Sequence, residues 1–210
     1  MAVDYKKKYR EFYLPGTEPQ IVEVPEMRAV AVRGEGDPNE ENGAYQRAIG
    51  LLYAISYAVK MGPRNGIEIP GYFDYVVPPL EGFWLAPEET AGEGIRKEKF
   101  QWISLIRLPE FVDERVFAQA AEQVERKKKL DISRAEFLTV REGLCVQCLH
   151  MGSFDREGET VEKMDRYLEE QGYVNDFDGG RMHHEIYLSD IRRVPPERWK
   201  TVIRHPVKRG

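Results

Sequence analysis

The 210-residue sequence lacks the features that mark several large protein classes. It has no apolar run of about 18 residues, which a membrane-spanning helix needs, and its start lacks the apolar segment of a signal peptide. Its formal net charge is only −5, with acidic and basic residues interspersed, so it has no one-sided positive field for nucleic acid. We therefore expect a cytoplasmic protein that binds neither nucleic acid nor membranes.

Cysteine is scarce as well, but its spacing suggests redox or metal chemistry. Cys145 and Cys148 have the Cys-x-x-Cys spacing of a redox pair or of half a zinc site. They lie in LCVQCLHM, which predicts a strand, and residues three apart in a strand point to opposite faces. A redox pair instead acts from the start of a helix, where the thiol pKa is lowered. We therefore expect no metal and no cofactor.

The sequence contains an internal repeat. The segments WISLIRLPEF (102–111) and WKTVIRHPVK (199–208) share Trp, Ile, Arg and Pro at identical spacings. These residues are Trp102, Ile106, Arg107 and Pro109 in the first copy and Trp199, Ile203, Arg204 and Pro206 in the second. Upstream, AVAVRGEGD (29–37) and CVQCLHMGSFD (145–155) each end in a turn before a helical pattern. The chain is therefore expected to hold two strand-helix-strand-strand units.

These repeats predict an α+β fold in a single domain over residues 1–210. The copies, at about 20–111 and 135–208, would be related by a pseudo-twofold axis and joined by a crossover helix over about 113–129. Their strands would form one joined antiparallel sheet, with a strand at 135–139 opening the second copy. Both repeat helices would cover one face, and the opposite face would then form a ligand groove.

The stretch RMHHEIYLSD (181–190) alternates like a strand but carries a carboxylate at its centre. With a period of two, Ile186 and Leu188 share one face, while His183, Glu185 and Tyr187 share the other. The second face is either the wet face of an antiparallel sheet or the floor of a binding site.

The repeat favours the binding site. It aligns Glu81 with Glu185 and Phe83 with Tyr187, which would place two carboxylates among aromatic rings on one concave surface, as is typical of ligand sites. The other predicted ligand-binding residues are Trp84 and Trp102 as flat walls, Tyr53 and Tyr57 from the first repeat helix, and His183.

His183 and Glu185 also leave a metal enzyme open as an alternative, with His150 or His184 nearby. Two ligands on one strand fall short of the three protein ligands usual in a catalytic zinc site. The predicted site therefore holds no metal.

These residues together resemble the GyrI-like small-molecule-binding family, named for an inhibitor of DNA gyrase. The resemblance rests on GEGDPN, PLEGFW, EGLCVQCLHMGSFD, HHEIYLSD and WKTVIRHPV, and it covers about residues 3 to 208. It implies a fold like the effector-binding part of multidrug-sensing activators, where a buried glutamate, matched here by Glu185, recognises lipophilic cations. Because no helix-turn-helix precedes the repeat, we expect no DNA binding. A stand-alone branch, which this sequence resembles more closely, hydrolyses the cyclopropane ring of DNA-alkylating natural products.

Hydrolysis of a strained cyclopropane needs a base for the attacking water and a donor for the developing oxyanion. Glu185 is the predicted base, and Tyr187 is the predicted donor, with Tyr53 or Tyr57 as alternatives. The same groove could hold a lipophilic cation without reaction, since carboxylates and aromatic faces both attract cations. A third hypothesis is a protein-binding inhibitor like the family's namesake. We expect a monomer or a weak homodimer.

Overall fold

The computed structural model describes residues 2–85, 97–177 and 180–210 of the chain. The strands in these residues are β1 (Val3–Asp4), β2 (Gln20–Val24), β3 (Met27–Glu35), β4 (Tyr75–Val76), β5 (Leu80–Leu85), β6 (Gln101–Leu108), β7 (Ala135–Val140), β8 (Gly143–Met151), β9 (Tyr173–Asn175), β10 (His183–Tyr187) and β11 (Lys200–Arg209). The α-helices are α1 (Tyr5–Lys8), α2 (Arg10–Tyr13), α3 (Ala44–Lys60), α4 (Glu114–Lys128) and α5 (Glu157–Gln171). The longer strands pair antiparallel and the helices pack on them, so the predicted α+β fold is confirmed.

The described residues divide into two compact units. The first unit comprises Met1–Asp4, Met27–Leu80 and Trp84–Val140, and the second comprises Tyr5–Glu26, Glu81–Phe83 and Arg141–Gly210, each taken over its described residues. Strand β5 therefore contributes residues to both units.

In the first unit, β3 is the middle strand between β6 and β7. Helix α3 packs on this sheet and α4 packs on α3, with the buried side chains of Leu52, Ile55, Val59, Val116, Ala120 and Val124 in one core. Helix α4 matches the helix predicted over about 113–129. It begins where the Asp113 side chain accepts a hydrogen bond from the backbone N–H of Val116 at 2.8 Å.

In the second unit, the strand order is β2, β8, β11, β10, and β9 pairs with the last residues of β11. Helix α5 packs on one face of this sheet, over the buried residues Val146, Cys148, Met164, Leu168, Ile203 and Val207. The other face is covered by α2, with Phe12 and Tyr13 packed against Val24, Cys145, Ile186 and Val202. The expectation of an open groove on that face is therefore wrong for this unit, because residues for which no element was predicted fill it.

The two sulfur side chains follow the prediction from strand alternation. Cys145 lies in the α2 core and Cys148 lies in the α5 core, so they point to opposite faces of β8 and are free thiols. Burial raises the pKa of both thiols, that of Cys145 to about 12.

Each unit takes its outer strand from a distant part of the chain. The strand expected to open the second copy, β7, pairs with β3 in the first unit, and β2 pairs with β8 in the second. Strand β8 cannot accept β7, because β2 and β11 already occupy both of its edges. Strands β2 and β7 directly precede β3 and β8 in the chain, so the exchange is reciprocal, and the assignment of 135–139 to the second copy stays a prediction.

Equivalent landmarks of the repeat have equivalent partners. Ile106 lies opposite Val30, and Ile203 lies opposite Cys148, which corresponds to Val30 in the aligned copies. The two units therefore share one pairing pattern, whereas the pseudo-twofold axis that would relate them stays a prediction.

Candidate functional site

Glu185 lies at the middle of β10, on the face against which α5 packs, which corrects the prediction that it lies on the face opposite the repeat helices. It is opposite Ile203 of β11, whose side chain is in the α5 core, and opposite residues of an antiparallel pair share a face. Its neighbours His184 and Ile186 are buried on the other face. The Glu185 side chain is only 13% exposed, so it is not a solvated surface carboxylate.

A cluster of four side chains from three elements surrounds this carboxylate, and we call it the Glu185 cluster: Glu157, His183, Glu185 and His205. Nε2 of His183 lies 2.9 Å from Oε1 of Glu157 and 3.4 Å from Oε1 of Glu185. Nδ1 of His183 lies 2.8 Å from Nε2 of His205 on β11. Glu157 is the first residue of α5. Both ring nitrogens of His183 therefore have partners, and both bonds fix its orientation.

The two histidines of the cluster carry different charges. Burial opposes a charge on His183, but its bonds to Glu157 and Glu185 outweigh it and raise the pKa of His183 to about 10. Burial and the neighbouring His183 charge lower the pKa of His205 to about 3. His183 is therefore an imidazolium that donates from both nitrogens, and the neutral His205 accepts at Nε2.

Burial is also the main influence on Glu185, and together with the charge of Glu157 it raises the pKa of this carboxyl. Hydrogen bonds from His183 and Tyr187 act in the opposite direction. A raised pKa makes a carboxylate a stronger base while it stays ionised. The two predicted catalytic residues, Glu185 and Tyr187, are thus brought together by a hydrogen bond.

Aromatic side chains flank the cluster along β10. The Tyr187 ring meets the edge of Phe154 at 5.9 Å between centroids, and Phe154 lies 5.0 Å from Trp199. At the other end, the half-exposed Phe177 lies 5.0 Å from the His205 ring. An apolar ligand could therefore find aromatic contacts on both sides of the carboxylate.

Glu81 and Phe83 do not share this face, which corrects the prediction that they lie beside Glu185. Glu81 is fully buried, its Oε1 accepts a hydrogen bond from the Tyr13 hydroxyl at 3.0 Å, and its Oε2 lies 3.0 Å from Nε2 of His184. Phe83 stacks on the His184 ring at 4.2 Å. Because His184 and Glu185 are consecutive in a strand, their side chains point to opposite faces.

Glu81 and His184 belong instead to a buried charge network on the α2 face. Nδ1 of His184 lies 2.8 Å from Oε1 of Glu142, and Nη1 of Arg204 donates to Oε2 of Glu142 at 2.7 Å. Arg204 also donates to the backbone carbonyl of Phe12 at 2.8 Å. The network therefore fastens α2 to the sheet, which is a structural role.

The remaining predicted aromatic residues lie in the first unit. Trp102 is buried, and its ring meets that of Tyr45 edge-on at 5.1 Å. Trp84 packs on Tyr45 at 5.3 Å. Tyr53 and Tyr57 stack on each other at 6.5 Å on the exposed side of α3, with exposed fractions of 36% and 50%. Their roles in ligand binding stay predictions.

Three residues of the cluster could also hold a metal ion. Glu157, His183 and Glu185 each offer one ligand atom, and these atoms lie within 4.8 Å of one another. An ion at this place would have to displace the Nε2 proton of His183, whose pKa of about 10 opposes its loss at neutral pH. The other predicted neighbours, His150 and His184, bind elsewhere, to Thr160 and to the buried carboxylates.

Sequence reasoning missed Glu157, which is the first residue of α5 and lies outside the strand motifs on which the predicted site rests. It also missed His205, although placing β10 beside β11 with Glu185 opposite Ile203 also puts His183 and His205 opposite each other. The pairing register of β10 with β11, rather than a sequence motif, could have identified His205.

Comparisons with known proteins agree with this architecture. The GyrI-like small molecule binding domain matches residues 17–208. The chain is similar to a hydrolase from Listeria innocua, with 41% identity over 98% of this chain and 100% of that one and a TM-score of 0.89. A hydrolase structure from the same organism has 40% identity over 99% and 100% of the two chains and a TM-score of 0.90.

A more distant comparison concerns the fold alone. The C-terminal domain of EcmrR has 14% identity over 92% of this chain and 98% of that one, with a TM-score of 0.56. No relative was found among curated proteins. Within residues 2–85, 97–177 and 180–210, no helix combines the length and hydrophobicity needed to cross a membrane.

Proposed function

Because the chain belongs to the GyrI-like family of small-molecule-binding domains, we propose that it binds planar, lipophilic compounds at the Glu185 cluster and hydrolyses those with an electrophilic cyclopropane ring. DNA-alkylating compounds of this kind are the proposed substrates, so the reaction would be a detoxification. The observation that carries the proposal is the buried Glu185 carboxylate, with a raised pKa and hydrogen bonds from His183 and Tyr187. The similarity to the Listeria innocua hydrolases over the whole chain supports a hydrolytic activity.

In the proposed reaction, a water molecule attacks the unsubstituted ring carbon of a cyclopropane conjugated to a carbonyl. The new C–O bond forms as one C–C bond of the ring breaks, and its electron pair moves into the carbonyl, which becomes an oxyanion. Glu185 accepts the proton that the water loses. Tyr187 donates a hydrogen bond from its hydroxyl to the Glu185 carboxylate and holds it in place. Once Glu185 has taken the proton from water, the Tyr187 hydroxyl is released to donate to the oxyanion, and the proton on Glu185 finally returns to that oxyanion.

Turnover by the Glu185→Gln variant tests this role. Glutamine keeps the shape and hydrogen-bonding capacity of the side chain but cannot accept the proton, so we expect the rate to fall by roughly 100-fold or more. Binding of a neutral planar substrate should largely survive. The measurement is the ring-opened product by mass spectrometry under excess substrate, which separates turnover from stoichiometric binding. Glu159→Gln is the matched control, because Glu159 is an exposed residue of α5 paired with Arg156 at 3.0 Å.

The charge of the cluster favours a second candidate function, the binding of lipophilic cations without reaction. Glu157 and Glu185 face a single imidazolium, which leaves one negative charge when both carboxylates are ionised. In this case Glu185→Gln should lower the affinity for a cationic dye and leave the affinity for neutral ligands unchanged, because the lost interaction is charge attraction at low dielectric. Unchanged binding and unchanged turnover in the variant would exclude both functions for Glu185.

A further inference from the structure

We propose that Glu157 and His183 are positioning residues that hold the Glu185 carboxylate in one orientation and set its state of ionisation. Glu157 anchors His183, and His183 in turn anchors Glu185. The kinetic consequence rests on the proposed hydrolysis, whereas the effect on ionisation does not.

The geometry over-determines the position of His183. Its ring is held at Nε2 by a carboxylate from α5 at 2.9 Å and at Nδ1 by His205 from β11 at 2.8 Å. The ring therefore cannot rotate without breaking bonds to two separate elements. Its Nε2–H lies between Glu157 and Glu185, so the rigid ring presents a fixed donor to the Glu185 carboxylate at 3.4 Å.

The charges in the cluster depend on one another. Two carboxylates this close in a buried site cannot both stay ionised unless a cation lies between them, and His183 occupies that place. The groups that face Glu185 are His183 and Tyr187 from its own strand and Glu157 from α5, with the neutral His205 of β11 behind His183. The β11 residue directly opposite Glu185 is the apolar Ile203.

Replacing His183 and replacing Glu157, one at a time, should shift the pKa of Glu185 in opposite directions. His183→Gln removes the cation and leaves the negative Glu157, so the pKa of Glu185 should rise. Glu157→Gln removes the repelling charge and leaves His183 bound to Glu185, so the pKa of Glu185 should fall. Each change should be about one pH unit or more, the usual effect of a single close charge.

The test is a carbon-13 NMR titration of the Glu185 carboxyl in wild type, His183→Gln, Glu157→Gln and the control Glu159→Gln. We expect a higher midpoint in the first variant, a lower one in the second and no change in the control. Since a change of the folded state alone does not predict opposite shifts, shifts of the same sign or no shifts would overturn the proposal. The acidic limb of the pH profile of kcat/KM should move in the same two directions.

Two further outcomes separate this proposal from the proposed hydrolysis. If the carboxyl midpoints move as expected but wild type turns over no cyclopropane substrate, the ionisation proposal stands and the hydrolysis is wrong. If a variant does not fold, nitrogen-15 spectra of the wild-type His183 ring decide the question. A ring protonated at both nitrogens at neutral pH supports the proposal, and a neutral ring overturns it.

Discussion

Removing the charge of Glu142 is expected to cost the fold about 3 kcal/mol at neutral pH. This carboxylate lies in the buried network, bonded to His184 at 2.8 Å and to Arg204 at 2.7 Å. Burial alone would raise its pKa, but the two cations outweigh burial and lower the pKa of Glu142 from its ordinary 4.5 to about 2. Each pKa unit corresponds to about 1.4 kcal/mol, so ionisation stabilises the native state by about 3 kcal/mol.

The pH dependence of this contribution follows from its sign. The folded pKa of Glu142 is below the unfolded value of 4.5, so the contribution is complete above that pH and is lost as the pH falls towards 2. Burial opposes the charge of His184, but Glu142 and Glu81 raise its pKa above the ordinary 6.5. The stability due to His184 is therefore complete below pH 6.5 and is lost as the pH rises through its folded pKa. The network should stabilise the protein most between these two ordinary values, 4.5 and 6.5.

Urea denaturation of wild type and Glu142→Gln at several pH values between about 3 and 7 measures this contribution. At pH 7 the variant should lose about 3 kcal/mol or somewhat more, because it leaves Arg204 and His184 with an uncompensated buried charge. The difference between the two proteins should shrink as the pH is lowered. Glu162→Gln is the control, since Glu162 is exposed and its ion pair with Arg166 is long, at 4.0 Å. A loss below about 1 kcal/mol at pH 7, or a difference that does not shrink in acid, would refute this account of the network.

Two other predictions concern packing and metal binding. Gly34→Ala should destabilise the protein by about 1–3 kcal/mol, because the added Cβ would lie 2.3 Å from the ring of the buried Trp102. Gly50→Ala should stabilise it by up to about 1 kcal/mol, because Gly50 lies in helix α3 and an added Cβ would have no atom within 4 Å. Urea denaturation of both variants measures these effects, and similar losses in the two would contradict the packing argument. Zinc should bind the Glu185 cluster only weakly at neutral pH, because the ion would have to displace the proton that His183 holds with a pKa of about 10. Tight binding measured by calorimetry at pH 7 would contradict the protonated state of His183.

The sequence predicted what short-range patterns encode. Strand alternation placed His183, Glu185 and Tyr187 on one face, and the repeated Trp-x-x-x-Ile spacing located the strands that pair alike in both units. The alignment of Glu81 with Glu185 failed because it rested only on a shared glutamate and a nearby aromatic residue, and a slip of one residue reverses the face of every side chain.

Short-range sequence patterns could not predict the contacts between residues far apart in the chain. Glu157 reaches His183 across 26 residues, and α2 covers a sheet whose strands β8, β10 and β11 all begin at residue 143 or later. Burial of a carboxylate beside an imidazolium becomes favourable only when both are in place, so neither residue alone marks the site.

The exchange of outer strands between the two units affects how the chain can fold during synthesis. Strand β2 and helix α2 are made more than 100 residues before β8 and β11, the strands they pack on. They therefore cannot bury their apolar residues against this sheet until β8 and β11 have been made. Contacts of such separation slow folding and favour association between incomplete chains. A chain cut between Val140 and Arg141 would leave the carboxyl-terminal piece without β2 and α2, so the two units cannot be produced as independent fragments by a single cut there.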